Sequence, residues 1–186
     1  MQGNEATLSR AAQLQGKELS FNNILDLDAA MGAVASITDC GCVVVKHNNP
    51  CGAAIGEDPA GAFEGAKAGD PVSAFGGIVA FNREVGPGAA EALTSMFLEA
   101  VIAPGFSADA REILSRKKKL RVLEWGDIRS YRRSGLDIRR TAGGCLLQEW
   151  DADDPLSETR VVTERAPNAD EWKALELAWR ISRHVK

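Results

Sequence analysis

The chain is 186 residues long, 45% hydrophobic and 26% charged, with a formal net charge of −4. A chain of that size fills one domain, or about one and a half small ones, and buries roughly two thirds of its unfolded surface, so its core needs no disulfide or metal staple. The ordinary apolar content argues against whole-chain disorder, and the slightly acidic balance argues against nucleic acid as a partner.

No apolar stretch approaches the ~20 residues that cross a bilayer, and no charged-then-apolar leader precedes Asn4, so the expected location is the cytoplasm and no membrane partner is expected. Cys40, Cys42, Cys51 and Cys145 lie within or beside apolar segments and form no C-x-x-C pair. That pattern predicts buried thiols rather than a metal site. The longest basic run, Arg116-Lys117-Lys118-Lys119, falls at the end of an expected helix, where cations complement the carbonyl end of the dipole.

In chain order, residues 23–37 combine capping-type side chains with a small-residue helical run that Asp28 is expected to start. Residues 39–41 break that helix. Residues 42–45 form a short continuous apolar run of the kind found in buried parallel strands. A helix over 59–67, a strand over 77–81, a helix over 87–97 and a strand over 100–103 follow. Ser107 caps a helix running through Lys117, with Asp109 in its first turn, and residues 120–124 form the next strand. Alternation of this kind predicts a largely parallel sheet.

Beyond Trp125 the pattern changes. Residues 138–150 have extended character around Gly143-Gly144, residues 151–155 form a loop, and Val161-Val162 a short strand. Asn168 caps a final amphipathic helix carrying Trp172, Leu175, Leu177, Ala178, Trp179 and Ile181.

Three stretches carry residues suited to chemistry. Lys46-His47-Asn48-Asn49-Pro50-Cys51-Gly52 directly follows the apolar run at 42–45, and ligands of open parallel sheets sit beyond the carboxyl ends of strands. Lys46 is a compact cation with three donors, and His47 exchanges a proton near neutrality. From residue types alone, a surface lysine and a histidine satisfied by local backbone remain open. Asn49-Pro50-Cys51-Gly52 is expected to shape the exit from the strand, proline fixing φ and glycine permitting a costly backbone angle. Ser73-Ala74-Phe75-Gly76-Gly77 reads as a second turn, with Phe75 offering an aromatic face and the glycines allowing close approach of the main chain to a ligand. Glu99 stands between Leu98 and Ala100-Val101-Ile102, an expensive place for a charge without a partner.

These stretches bring a resemblance into view. Lys46 through Gly52, Asp70-Pro71-Val72-Ser73-Ala74-Phe75-Gly76-Gly77-Ile78-Val79-Ala80-Phe81-Asn82, Leu14-Gln15-Gly16-Lys17-Glu18-Leu19-Ser20-Phe21-Asn22-Asn23-Ile24-Leu25-Asp26, Val101-Ile102-Ala103-Pro104-Gly105-Phe106 and Ala142-Gly143-Gly144 resemble, in order, the transformylase half of the bifunctional purine biosynthesis enzymes. In that family a formyl group passes from 10-formyltetrahydrofolate to the aminoimidazole carboxamide ribonucleotide AICAR.

The resemblance implies a three-layer α/β/α cytidine-deaminase-like domain with a mostly parallel sheet. It implies residues 1–125 as a first such subdomain, and residues 126–186 as its continuation and the connection toward a second. Lys46 and His47 match catalytic positions, and Asn23, Phe75, Gly76 and Glu99 match positions that hold nucleotide or folate, although Asn22 or Asn23 could equally cap the helix that follows. A homodimer is implied for the complete enzyme, and no metal. The family pattern extends upstream into a phosphate-binding arginine segment and downstream into a Ser-Asn pair, so the chain is expected to be truncated at both ends and inactive alone. A silent nucleotide-binding or interaction module is the competing reading. A zinc hydrolase lacks its H-x-E and C-x-x-C spacings, and a dinucleotide enzyme lacks its G-x-G-x-x-G.

Overall fold

The computed structural model describes residues 8–128, 131, 135–151 and 155–186. The stretch around Asn4 and residues 152–154 of the expected loop lie outside them. The first part of the chain runs β1 (Ala12–Gln15), α1 (Phe21–Ala35), β2 (Gly41–Lys46), β3 (Asn49–Ile55), α2 (Pro59–Gly69), α3 (Pro71–Ala74), β4 (Ile78–Phe81), α4 (Pro87–Thr94), β5 (Ala100–Ala103), α5 (Ala108–Ser115) and β6 (Arg121–Glu124). A hairpin of β7 (Leu136–Thr141) and β8 (Gly144–Glu149) and a last helix, α6 (Ala169–Ser182), follow.

Six strands form one sheet in the order β1-β6-β5-β4-β2-β3. The strands β4, β5 and β6 are mutually parallel, and β3 runs the same way as these three. Four strands of six therefore share a direction, and helices cover both faces in a three-layer α/β/α arrangement. The run at 42–45 corrects one expectation, because β2 pairs antiparallel with both β3 and β4. An unbroken apolar run reports burial on both faces, and strand direction is independent of it.

Side-chain alternation along each strand divides the core in two. Val43 and Val45 of β2, Ile78 and Ala80 of β4 and Ile102 of β5 face α1 through Leu27, Ala30, Met31 and Val34. Cys42, Val44, Val79, Phe81 and Val101 face the other way, onto Ala62 and Phe63 of α2, Leu93 of α4 and Leu114 of α5. Leu177 and Ile181 of α6 pack beside the first of these layers.

Capping explains where the helices begin. Ser107 caps α5 by accepting the Ala110 N–H, with Asp109 in the first turn, and Asn168 caps α6 in a capping box with Glu171. The first helix starts earlier than expected: Ser20 is its N-cap and Asp28 lies inside it. The α4 and α5 helices stop at Thr94 and Ser115, short of 97 and 117. Arg116 provides the C-cap of α5 and pairs with Glu91 at 3.1 Å, so one cation of the basic run lies at the helix end as expected. Val161 and Val162 are not in a strand. No ladder partner meets them among the described residues, and two β-branched residues without one do not make a strand.

The thiols divide by burial. Cys42 is buried, Cys40 and Cys51 are half-buried, and Cys145 is exposed on β8, which corrects the expectation of four buried thiols. Burial pushes the Cys51 thiol up and the Cys42 thiol well up from the ordinary range, so both are protonated at neutral pH. Thiolate is the reactive form. Alkylation of the native protein at mildly alkaline pH is therefore expected at Cys145 first, more slowly at Cys51, and at Cys42 only on unfolding. Mass spectrometry of timed digests reads that order, and a Cys42 adduct on folded protein would refute it.

Candidate active site

Because β2 is antiparallel to its neighbours, its carboxyl end lies beside the amino ends of β4, β5 and β6. The register runs Val45 to Ile78, Ile78 to Ala100 and Ala100 to Arg121. Lys46, Gly77 and Glu99 therefore stand along one edge of the sheet. The segment entering α1 joins them, since the Glu18 carbonyl accepts the Arg121 Nε–H at 3.0 Å.

His47 and Asn48 are the two residues of a tight turn between β2 and β3. The expected exit from the strand is thus a hairpin, with Asn49-Pro50-Cys51-Gly52 inside β3. Both turn residues adopt left-handed backbone, with φ of 54° and 63°. Two-residue hairpins of the I′ class require positive φ at both positions, which matches the right-handed twist of the strands. His and Asn tolerate that region better than most residues, yet each still costs about 1–2 kcal/mol. The Asp26 carboxylate on α1 offsets part of this by accepting the Asn48 N–H at 2.7 Å. The His47 ring is exposed and has no hydrogen-bond partner among the described residues.

Lys46 reaches across the edge, and its Nζ donates to the Phe75 carbonyl at 2.9 Å. That bond ties the hairpin to the glycine turn. Gly76 has a φ of +73°, and its N–H donates to the Phe97 carbonyl at 2.9 Å. Phe75 is 57% exposed, and its ring lies 5.5 Å from that of Phe97. The pair forms an aromatic wall with a free face. Asp70 caps α3 through the Val72 and Ser73 amides, and hydrogen bonds from Ser73, with a smaller contribution from the Lys46 charge, hold its carboxyl below the ordinary range.

Glu99 does have a partner. Arg121 Nη1 donates to its Oε2 at 2.7 Å, with side-chain exposures of 11% for the arginine and 39% for the glutamate. The charge is compensated, and among the described residues Oε1 carries no bond. Asn23 is buried and completes the capping box of α1, its Oδ1 accepting the Ser20 N–H at 3.1 Å. Lys46, Phe75, Gly76 and Glu99 thus share one sheet edge with the His47 turn, and Asn23 lies in the first turn of the helix beside it. Asp26, Asp70 and Arg121 belong to the same assembly and stand out only in three dimensions. Cys51 donates weakly to the Val44 carbonyl, and its raised thiol is the opposite of what a nucleophile requires. Among the described residues no three His, Cys, Asp or Glu side chains are grouped to hold a metal ion.

The model of the AICARFT/IMPCHase bienzyme family matches residues 1–186. The chain belongs to that family. Curated relatives of the AICARFT/IMPCHase bienzyme include the bifunctional purine biosynthesis protein PurH of Acidithiobacillus ferrooxidans, 48% identical over 185 residues that make up 99% of this chain and 36% of the relative. The PurH of an Anaeromyxobacter strain is 47% identical over 190 residues, 98% of this chain and 36% of the relative. That of Sorangium cellulosum is 50% identical over 173 residues, 92% of this chain and 33% of the relative. The chain spans about a third of the length of these AICARFT/IMPCHase proteins. Among the described residues no helix is long and apolar enough to cross a membrane.

Proposed function

We propose that this chain carries the formyl-transfer edge of its family, passing a formyl group from 10-formyltetrahydrofolate to the 5-amino group of AICAR on the way to IMP. The amine shares its lone pair with the imidazole ring and the formyl donor is amide-like, so neither reacts readily unaided. In the transfer, the amine nitrogen attacks the formyl carbon, a tetrahedral oxyanion forms, and the bond from that carbon to the folate nitrogen breaks. One proton must leave the amine and one must reach the departing nitrogen.

His47 takes the amine proton and returns it to the folate nitrogen. Its exposed ring on a tight turn suits an exchange with bound substrate. Lys46 stabilises the oxyanion: one of its three donors is held by the Phe75 carbonyl and two remain. Phe75 supplies a flat face for the folate ring, the Gly76 turn brings main chain to the nucleotide base, and Glu99 Oε1 accepts from the carboxamide or ribose. Asn23 borders the nucleotide from the start of α1. The observation that carries this reading is the 2.9 Å bond from Lys46 to Phe75, which joins the two motifs across one edge.

Exposed apolar side chains flank that edge, among them Phe21, Val72, Phe75 and Phe97. They support a homodimer in the complete enzyme, with a second subunit completing the folate pocket, and 54% exposure of Trp179 on α6 supports a further packed neighbour. The purified 186-residue chain is therefore expected to form no formylated product from AICAR and 10-formyltetrahydrofolate. A chimaera in which this chain replaces the matching part of the A. ferrooxidans protein is expected to be active. Formyl transfer by the chain alone would contradict the need for added surface, and an inactive but folded chimaera would contradict the functional assignment.

A further inference from the structure

Asp26 is the sixth residue of α1, well inside a helix that Ser20 and Asn23 already cap. Aspartate is a poor choice there, because its short carboxylate competes for backbone groups. Its place is therefore not explained by helix formation.

The half-buried side chain points at the hairpin instead. Its Oδ1 accepts the Asn48 N–H at 2.7 Å, in the peptide group that links His47 to Asn48. Holding that peptide plane restrains ψ of His47 and φ of Asn48 together. With the Asn48 amide turned so that its nitrogen faces α1, that nitrogen lies 3.2 Å from Asp26 Oδ1 and 3.1 Å from the Leu25 carbonyl. The neighbouring residue is also held, since the Lys186 N–H donates to Asn49 Oδ1 at 2.6 Å. A charged acceptor thus holds one of the two peptides that flank His47 and set the direction of its Cα–Cβ bond, in a turn whose two residues both have disfavoured φ.

We propose that Asp26 is a positioning residue for His47, acting through the Asn48 amide without touching substrate. The proposal rests on the reading of His47 as the proton carrier, and its test has two arms so that the two can fail separately.

In the 186-residue chain, Asp26→Ala is expected to speed hydrogen exchange of the Asn48 amide by about 10–100-fold, the range for losing a bond to a charged acceptor. Asp26→Asn keeps an acceptor oxygen and should fall between the two. Unchanged amides in β4 and β5 report that the fold is intact, and if Asp26→Ala does not fold, Asp26→Asn is the deciding variant. Exchange at Asn48 equal to that of the unaltered chain overturns the proposal.

In the active chimaera, Asp26→Ala is expected to lower kcat by about 10–100-fold with KM for AICAR little changed, and Asp26→Asn to restore most of it. On a His47→Ala background, Asp26→Ala should have no further effect. Normal kcat in Asp26→Ala beside an impaired His47→Ala overturns the positioning role. Normal kcat in His47→Ala overturns the catalytic reading, and with it the role assigned to Asp26, whatever the exchange arm returns.

Discussion

His47→Ala in the chimaera is expected to lower kcat for formylation of AICAR by about 10²–10⁴, the usual contribution of a positioned base. The attacking amine must shed one proton once bonded to the formyl carbon, and water is a far weaker base than imidazole. KM for the nucleotide should change little, because on the proposed reading the ring moves a proton while the other edge residues carry the binding. An exposed imidazole can be truncated without opening a core cavity, so the thermal midpoint should remain near that of the unaltered protein. Loss of activity together with loss of folding would reassign the residue to structure, and retained turnover would remove it from the mechanism.

The second large effect is on stability and lies four residues past the turn. Gly52 in β3 faces α2, and a Cβ there would sit 1.9 Å from the Ala66 carbonyl oxygen and 2.8 Å from the carbonyl carbon. Both atoms belong to helix backbone and cannot swing aside. Gly52→Ala is expected to cost about 1–3 kcal/mol, as overpacked sites do, and to lower Tm by about 2–12 °C. Since β3 carries one arm of the hairpin, the displaced strand should also disturb the His47 turn. Thermal unfolding by circular dichroism measures the shift, and an unchanged Tm would mean that α2 yields at no cost.

Gly52 also marks a limit of sequence reading. Its backbone is not in the left-handed region; the residue must be glycine because a helix approaches, and that neighbour comes from residues 59–69. Features set by local chemistry were legible: the caps at Ser107 and Asn168, the strand at Ala100–Ala103, and the break between α1 and β2. Features set by a distant partner were not. Asn49-Pro50-Cys51-Gly52 has the composition of a turn, yet pairing with β2 draws it into a strand. Glu99 was visible as a charge among apolar residues, but Arg121, 22 positions on, was visible only as one residue of a strand. Asp26 carried a weak local signal, an aspartate inside a helix, whose meaning depends on Asn48. The proposed pair, Lys46 and His47, stands out in the sequence because its two residues are adjacent, whereas the groups bonded to Lys46 and to the turn come from the α3–β4 turn and α1.

On the proposed reading one sheet edge, from the β2–β3 turn through the Gly76 turn to Glu99, receives the nucleotide. Titrating isotope-labelled chain with millimolar AICAR while recording backbone amide spectra tests it most directly. The expected result is a set of shifts concentrated at residues 46–49, 75–77 and 99. Shifts confined to the β7–β8 hairpin or α6, or no shift at any concentration reached, would contradict it.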